Sequence, residues 1–303
     1  APPSQAGLPP FLMSFHSLRL SCLVAAASCF VCAHAGASVL DDVGFSALSS
    51  EQGDALPTGS GSAVTMVEAD LTGNDDPPVA YLPNPTSAGL AGKSLIDESQ
   101  DPDAVNSSHA TMVANRLVGL SESMMPGTQE VHVYFASNWL QEGFLNFGVE
   151  APPLSAPNRF LNHSWIVSLD DDSHNIDVLR RIDYAIQEQD LLMVGGVNNG
   201  ASNALPRIIG HSYNAVTVGR SDGNHSAAIT DFYGDGRSRP HIVAPASSTS
   251  AATPYVASAG HLLAIGAEEN GLIAARDSRV LRALLFAGAS QQSLPIWERT
   301  DTL

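Results

Sequence analysis

Short apolar runs of strand length alternate along this chain with stretches of helical period, and this alternation restricts the fold more than any other feature. Ser62–Val67, Val131–Phe135, Leu161–Val167 and Leu191–Val194 are brief and rich in branched or aromatic residues. That is the pattern of strands buried on both faces. Between them, Met112, Val113, Leu117 and Leu120 recur at helical spacing in His109–Leu120. Ile176, Leu179, Ile182 and Ile186 share one face of a helix expected at Asn175–Glu188. Ser137–Gly148 reads as a short helix and turn. Ile208–Gly219 and Ala228–Tyr233 read as strands with a hairpin between them. Helices are expected from Ser250 onward and near Ser278–Ala287. Strands alternating with helices predict an α/β fold: a mainly parallel central sheet with helices on both faces. Ala69–Ser108 is rich in Pro, Asp, Gly and Asn and is expected to be mostly loop.

The 303 residues, 44% of them apolar, allow one large α/β domain or two small ones. The net charge is −17, with only 14 Lys and Arg, and Lys93 is the sole lysine. Such a chain lacks the cations that neutralise phosphates, so nucleic-acid binding is excluded. The N-terminal part reads as a targeting segment. Met13 is the expected start, His16 and Arg19 give a weakly basic beginning, and Leu20–Val31 is apolar. Ala33-His34-Ala35 then offers a signal cleavage site. The apolar run is too short for a membrane span. Cys22, Cys29 and Cys32 all fall inside the targeting segment, so the mature chain is expected to have no thiol. The expected division is 1–35 as an over-extended start plus signal, 36–61 as a short exposed leader, and 62–303 as one domain. A secreted or periplasmic location follows.

Ala244–Gly260 reads APASSTSAATPYVASAG. A cluster of small hydroxylated residues here leads into a small-residue helix. Pro254 suits a first helical turn, where a missing N–H costs nothing. Ser250 is therefore expected at a helix N-terminus, where free N–H groups and the helix dipole favour developing negative charge. A serine hydroxyl is a weak nucleophile. It needs a base, an orienter for that base, and donors for an oxyanion.

Ser248-Thr249-Ser250-Ala251-Ala252-Thr253-Pro254 resembles the G-T-S-M-A-T-P motif of the subtilisin-like proteases, matching five of seven positions. His109-Ala110-Thr111-Met112-Val113-Ala114 is similar to the family's H-G-T-H-V-A, which makes His109 the base. The family's first strand ends V-A-V-I-D-T-G, and here the run is Val64-Thr65-Met66-Val67-Glu68-Ala69-Asp70. Register puts Glu68 at the acid position, with Asp70 the competing assignment. Val197-Asn198-Asn199-Gly200 resembles G-N-x-G, which makes Asn198 the oxyanion donor. This family's asparagine is the reference case for losing such a donor, at roughly 10²–10³ in turnover. Acid, histidine and serine follow in the order found in subtilisin. Ser212–Gly219 and Arg239–Pro245 also resemble family segments.

The resemblance implies a secreted serine endopeptidase acting on protein or peptide substrates, monomeric, with no cofactor. Structural calcium is the one ion its acidic loops admit, and Asp170-Asp171-Asp172 is either such a loop or a solvated one. Two departures stand out. Ser164-Trp165-Ile166-Val167 replaces the family's S-L-G-G, so its branched residues should narrow the substrate cleft. The leader is also too short to fold as a pro-domain. Two rival readings are an inactive fold of this kind used for binding, and an esterase-like hydrolase.

Overall fold

The structure is a computed structural model, and it describes residues 38–70 and 79–290. The expected signal segment and its three cysteines lie outside the described residues. In chain order the elements are α1 (Val39–Asp42), α2 (Phe45–Gln52), β1 (Ala63–Glu68), β2 (Val79–Leu82), β3 (Ser94–Asp97), β4 (Ala104–Asn106), α3 (Ser108–Val118), β5 (Glu130–Phe135) and α4 (Ala136–Leu140). They continue with β6 (Phe160–His163), α5 (Asp172–Gln189), β7 (Leu192–Gly196), β8 (Val216–Arg220), β9 (Ala228–Thr230), β10 (Arg237–Arg239), β11 (Ile242–Ala244), α6 (Thr249–Glu269) and α7 (Ser278–Gly288).

Seven strands form the central sheet in the order β11-β8-β7-β6-β1-β5-β3. Every pairing in it is parallel. Period-2 alternation sends side chains to two cores. Val64 and Met66 of β1 join Val113, Leu117, Val256 and Leu281 beneath α3, α6 and α7. Val67 joins Trp139, Leu161, Val178 and Ile182 beneath α4 and α5 on the other face. The expected three-layer α/β arrangement is the one observed.

Two local expectations are corrected and one is refined. The described part of Ala69–Ser108 is largely irregular, as expected, but it also holds β3, which extends the sheet beyond β5, and the parallel pair β2–β4. No hairpin joins β8 to the run after it. β8 is bonded to β7 on one edge and β11 on the other, so neither edge is left for an antiparallel partner. Ala228–Thr230 pairs with β10 instead. The strand expected over Leu161–Val167 ends at His163, and the chain runs on without strand pairing.

The stretch expected to be an exposed leader contains α1 and α2, neither with a buried residue. Residues 58–59 are tied to the loop at Gly127 and Thr128. Gly127 N–H donates to Thr58 O at 2.7 Å. A Cβ on Gly59, whose φ is +85°, would overlap Thr128 Oγ1. Among the described residues no helix is long and apolar enough to cross a membrane.

The chain reverses its direction of travel across the sheet at β1, with β5 and β3 on one side and β6 through β11 on the other. In open parallel sheets the crevice at the carboxyl ends beside such a switch point receives ligands.

Candidate active site

The carboxyl ends of β1, β6, β7 and β11 carry the residues of interest. Glu68 is the last residue of β1 and is 1% exposed. Its Oε2 lies 2.7 Å from His109 Nδ1. His109 is the second residue of α3, which starts there because Ser107 Oγ accepts the Ala110 N–H at 3.2 Å. That cap holds the imidazole rigidly beside the end of β1, with its side chain 20% exposed. Burial raises the Glu68 carboxyl above its ordinary value, and the bond and charge interaction with His109 oppose that rise. Among the described residues its Oε1 has no hydrogen-bond partner. Asp70 stands elsewhere, accepting the Ala80 N–H at 2.9 Å. Of the two candidate acids, Glu68 is the one on the histidine.

Ser250 is the second residue of α6, capped by Ser248, whose Oγ accepts the Ala251 N–H at 3.1 Å. Pro254 sits in the second turn rather than the first. A proline there cannot supply the N–H that the carbonyl four residues back would accept, and that carbonyl belongs to Ser250. Ser164 Oγ takes up the vacancy, donating to Ser250 O at 3.0 Å. Ser164 is oriented in turn by Asn162 Nδ2 at 3.0 Å. Ser164 directly follows β6, which pairs with β1 through Val67 and His163. The start of α6 is thereby fastened beside the end of β1. No hydrogen bond joins Ser250 Oγ to His109, as is common before substrate arrives.

Gly196 ends β7 where α6 comes closest. A Cβ there would stand 3.0 Å from Thr253 Oγ1 and 3.6 Å from the Thr249 carbonyl. The absent side chain lets the first turn of α6 rest on the strand. Asn198 follows two residues later. Its backbone is held twice by Ser226, which donates its N–H to Asn198 O at 2.8 Å and accepts the Asn198 N–H on Oγ at 3.1 Å. The Asn198 side-chain amide makes no hydrogen bond among the described residues. Nor does the Ser250 N–H, the one unspent donor of the first three in α6.

Sequence reasoning missed Ser164, Asn199 and Ser226. Their partners lie far off in the chain, and no local pattern signals them. The expected narrowing of the cleft is half corrected. Trp165 is buried in the second core, its Nε1 donating to His163 Nδ1 at 3.1 Å, while Ile166 is 41% exposed. Asp171 caps α5 by accepting the Ser173 N–H at 2.7 Å. Among the described residues no three His, Cys, Asp or Glu side chains are grouped to hold a metal ion.

A second histidine–carboxylate pair, His132 Nδ1 and Glu98 Oε1 at 2.6 Å, lies mid-strand on β5. Its other nitrogen is 4.0 Å from Glu130 rather than beside a hydroxyl. Clefts of about 450 and 520 Å³ lined by Asp190 and Asp277 open at the amino end of β7, away from the carboxyl ends that carry Glu68 and Ser250.

No protein-family model and no curated protein matches the sequence. Solved structures do. A cold adapted subtilisin-like serine proteinase is similar at 19% identity and TM-score 0.50, over 76% of this chain and 83% of that one. The prenylagaramide maturation protease PagA has 16% identity and TM-score 0.45, over 75% and 82%. A protease from Pseudoalteromonas arctica has 14% identity and TM-score 0.43, over 69% and 79%. The first of these shows the fold: this chain has the subtilisin-like α/β fold.

Proposed function

We propose that this chain is a secreted serine endopeptidase with a Ser250–His109–Glu68 triad. The observation that carries the reading is the 2.7 Å contact from buried Glu68 to His109 Nδ1 at the carboxyl end of the switch-point strand. A carboxylate there accepts the Nδ1–H and fixes the tautomer that leaves Nε2 basic. Ser250 Oγ attacks the peptide carbonyl and His109 Nε2 takes its proton. The Ser250 N–H and the Asn198 amide, both unspent donors, receive the oxyanion. The C–N bond breaks as His109 returns the proton to the leaving amine. Water then hydrolyses the acyl-enzyme, with His109 as base again. Glu68 accepts the Nδ1–H throughout and stabilises the imidazolium that forms each time His109 takes up a proton. Peptide substrates lie along Ser164–Val167, where exposed Ile166 favours small side chains at the cleaved position.

One observation favours a second reading, a fold of this kind that binds without turnover. Glu68 is raised by burial and its Oε1 has no donor among the described residues, so its ionised form is less supported than a fully bonded carboxylate would be. Casein and a short activated ester, each assayed with wild type and Ser250→Ala, separate the possibilities. The peptidase reading expects casein cleavage that Ser250→Ala abolishes. Ester hydrolysis alone would indicate an esterase, and peptide binding without either activity would indicate the binding role.

A further inference from the structure

Asn199 stands between the two halves of the candidate oxyanion site. Its Oδ1 accepts the Thr249 N–H at 2.8 Å and lies 3.2 Å from Thr249 Oγ1. Thr249 is the first residue of α6 and precedes Ser250; Asn199 directly follows Asn198. One side-chain oxygen thus ties the loop that presents one oxyanion donor to the helix turn that presents the other. The far side of the loop is held as well. Ser226 bonds the Asn198 backbone twice, and Gly200 N–H donates to Asn224 O at 3.2 Å. The tie also settles how the first-turn donors are used. Asn199 occupies the Thr249 N–H and Ser248 Oγ the Ala251 N–H, so the Ser250 N–H is the one left for a ligand oxygen.

We infer that Asn199 is a positioning residue: it sets the spacing between the Asn198 amide and the Ser250 N–H, and so acts on the reaction through Asn198. This rests on the peptidase reading above. An oxyanion is stabilised only by donors fixed where its charge develops, and misplacement of about 1 Å can cost on the order of 10²-fold in rate. A residue that merely capped α6 would affect stability and leave the chemical step alone.

The test is a double-mutant cycle on the full chain with a fluorogenic peptide, reading kcat and KM separately, with thermal midpoints recorded alongside. Asn199→Ala should lower kcat about 10- to 100-fold with KM changed less than about threefold. With Asn198→Ala already in place, Asn199→Ala should cost less than about threefold further, because the donor it positions is gone. Asn199→Asp keeps an oxygen within reach of both Thr249 donors. At high salt, where its charge is screened, it should return kcat to within a few fold of wild type, and it serves if the alanine variant does not fold. An active wild type in which Asn199→Ala leaves kcat unchanged, or costs the same factor in both backgrounds, overturns the inference and leaves the peptidase reading standing. A folded wild type that turns over no substrate overturns both.

Discussion

In the proposed triad Glu68 is the residue to test first, because its carboxylate is buried and lies 2.7 Å from His109 Nδ1. Removing the charge while keeping the shape costs about 10⁴ in turnover in the serine-protease template. Glu68→Gln should therefore lower kcat roughly 10²–10⁴-fold, with the thermal midpoint little changed. Asp70→Asn should do far less, since Asp70 Oδ1 serves the Ala80 N–H. Glu68→Asp is the finer probe. The glutamate reaches His109 at 2.7 Å, so an aspartate on the same backbone, shorter by one methylene of about 1.5 Å, should lose on the order of 10²-fold. The inverse result, Asp70→Asn inactive and Glu68→Gln harmless, would move the acid to Asp70. The contact between Glu68 and His109 is expected from the resemblance of Val64–Asp70 and His109–Ala114 to family motifs, with Asp70 left open as the acid. The contacts of Ser164 and Asn199 are not. Ser164 bonds a residue 86 positions away and Asn199 one 50 positions away, and no window of local sequence carries such pairs.

At the scale of elements, α6 organises the site by departing from helical regularity. Pro254 withholds an N–H from Ser250 O, and Ser164 Oγ supplies the substitute at 3.0 Å. Ser164→Ala removes the hydrogen bond to a part-buried carbonyl and should cost about 1 kcal/mol in chemical denaturation. In a Pro254→Ala background the helix can make that bond itself, so the same change should cost less than about half as much. Equal costs in both backgrounds would show that the two groups do not serve one carbonyl. The long helices α3 and α5 could be read from periodicity because each buries an apolar stripe, whereas α6, buried on most of its faces over its first turns, is expected from its small residues and Pro254. The strands β2 and β4 could not be read. They are four and three residues long, in a segment whose Pro and Asp content argues for loop. The absent hairpin after β8 has a topological cause: a strand has two edges, and β7 and β11 fill both. Which strands neighbour β8 is decided by distant chain.

Across the whole molecule, burial leaves several histidines neutral. It pushes His163 and His241 down to about 3, and His211 and His261 down to about 4, with nearby arginines adding to the effect at His241 and His211. In the unfolded chain each titrates near 6.5. Between that value and about 4 the unfolded chain therefore binds more protons, and stability falls as pH falls. Glu68 works in the opposite sense, since its raised carboxyl takes up its proton first in the folded state, but it is one group against four. The thermal midpoint should drop on the order of 10 °C between pH 7.5 and pH 5. A flat profile over that window would mean these rings are not buried. Thr58 and Gly59, ahead of β1, pack against Gly127 and Thr128. Gly59→Ala should therefore destabilise by about 2 kcal/mol or more, from a positive φ and an overlap together. The claim that all of this serves a nucleophilic Ser250 is tested most directly by a fluorophosphonate, which reacts covalently only with an activated serine. Wild type should form one adduct, mapped by peptide mass to Ser250, and Ser250→Ala should form none. No adduct on the folded wild type, or an adduct that persists in Ser250→Ala, would contradict the account.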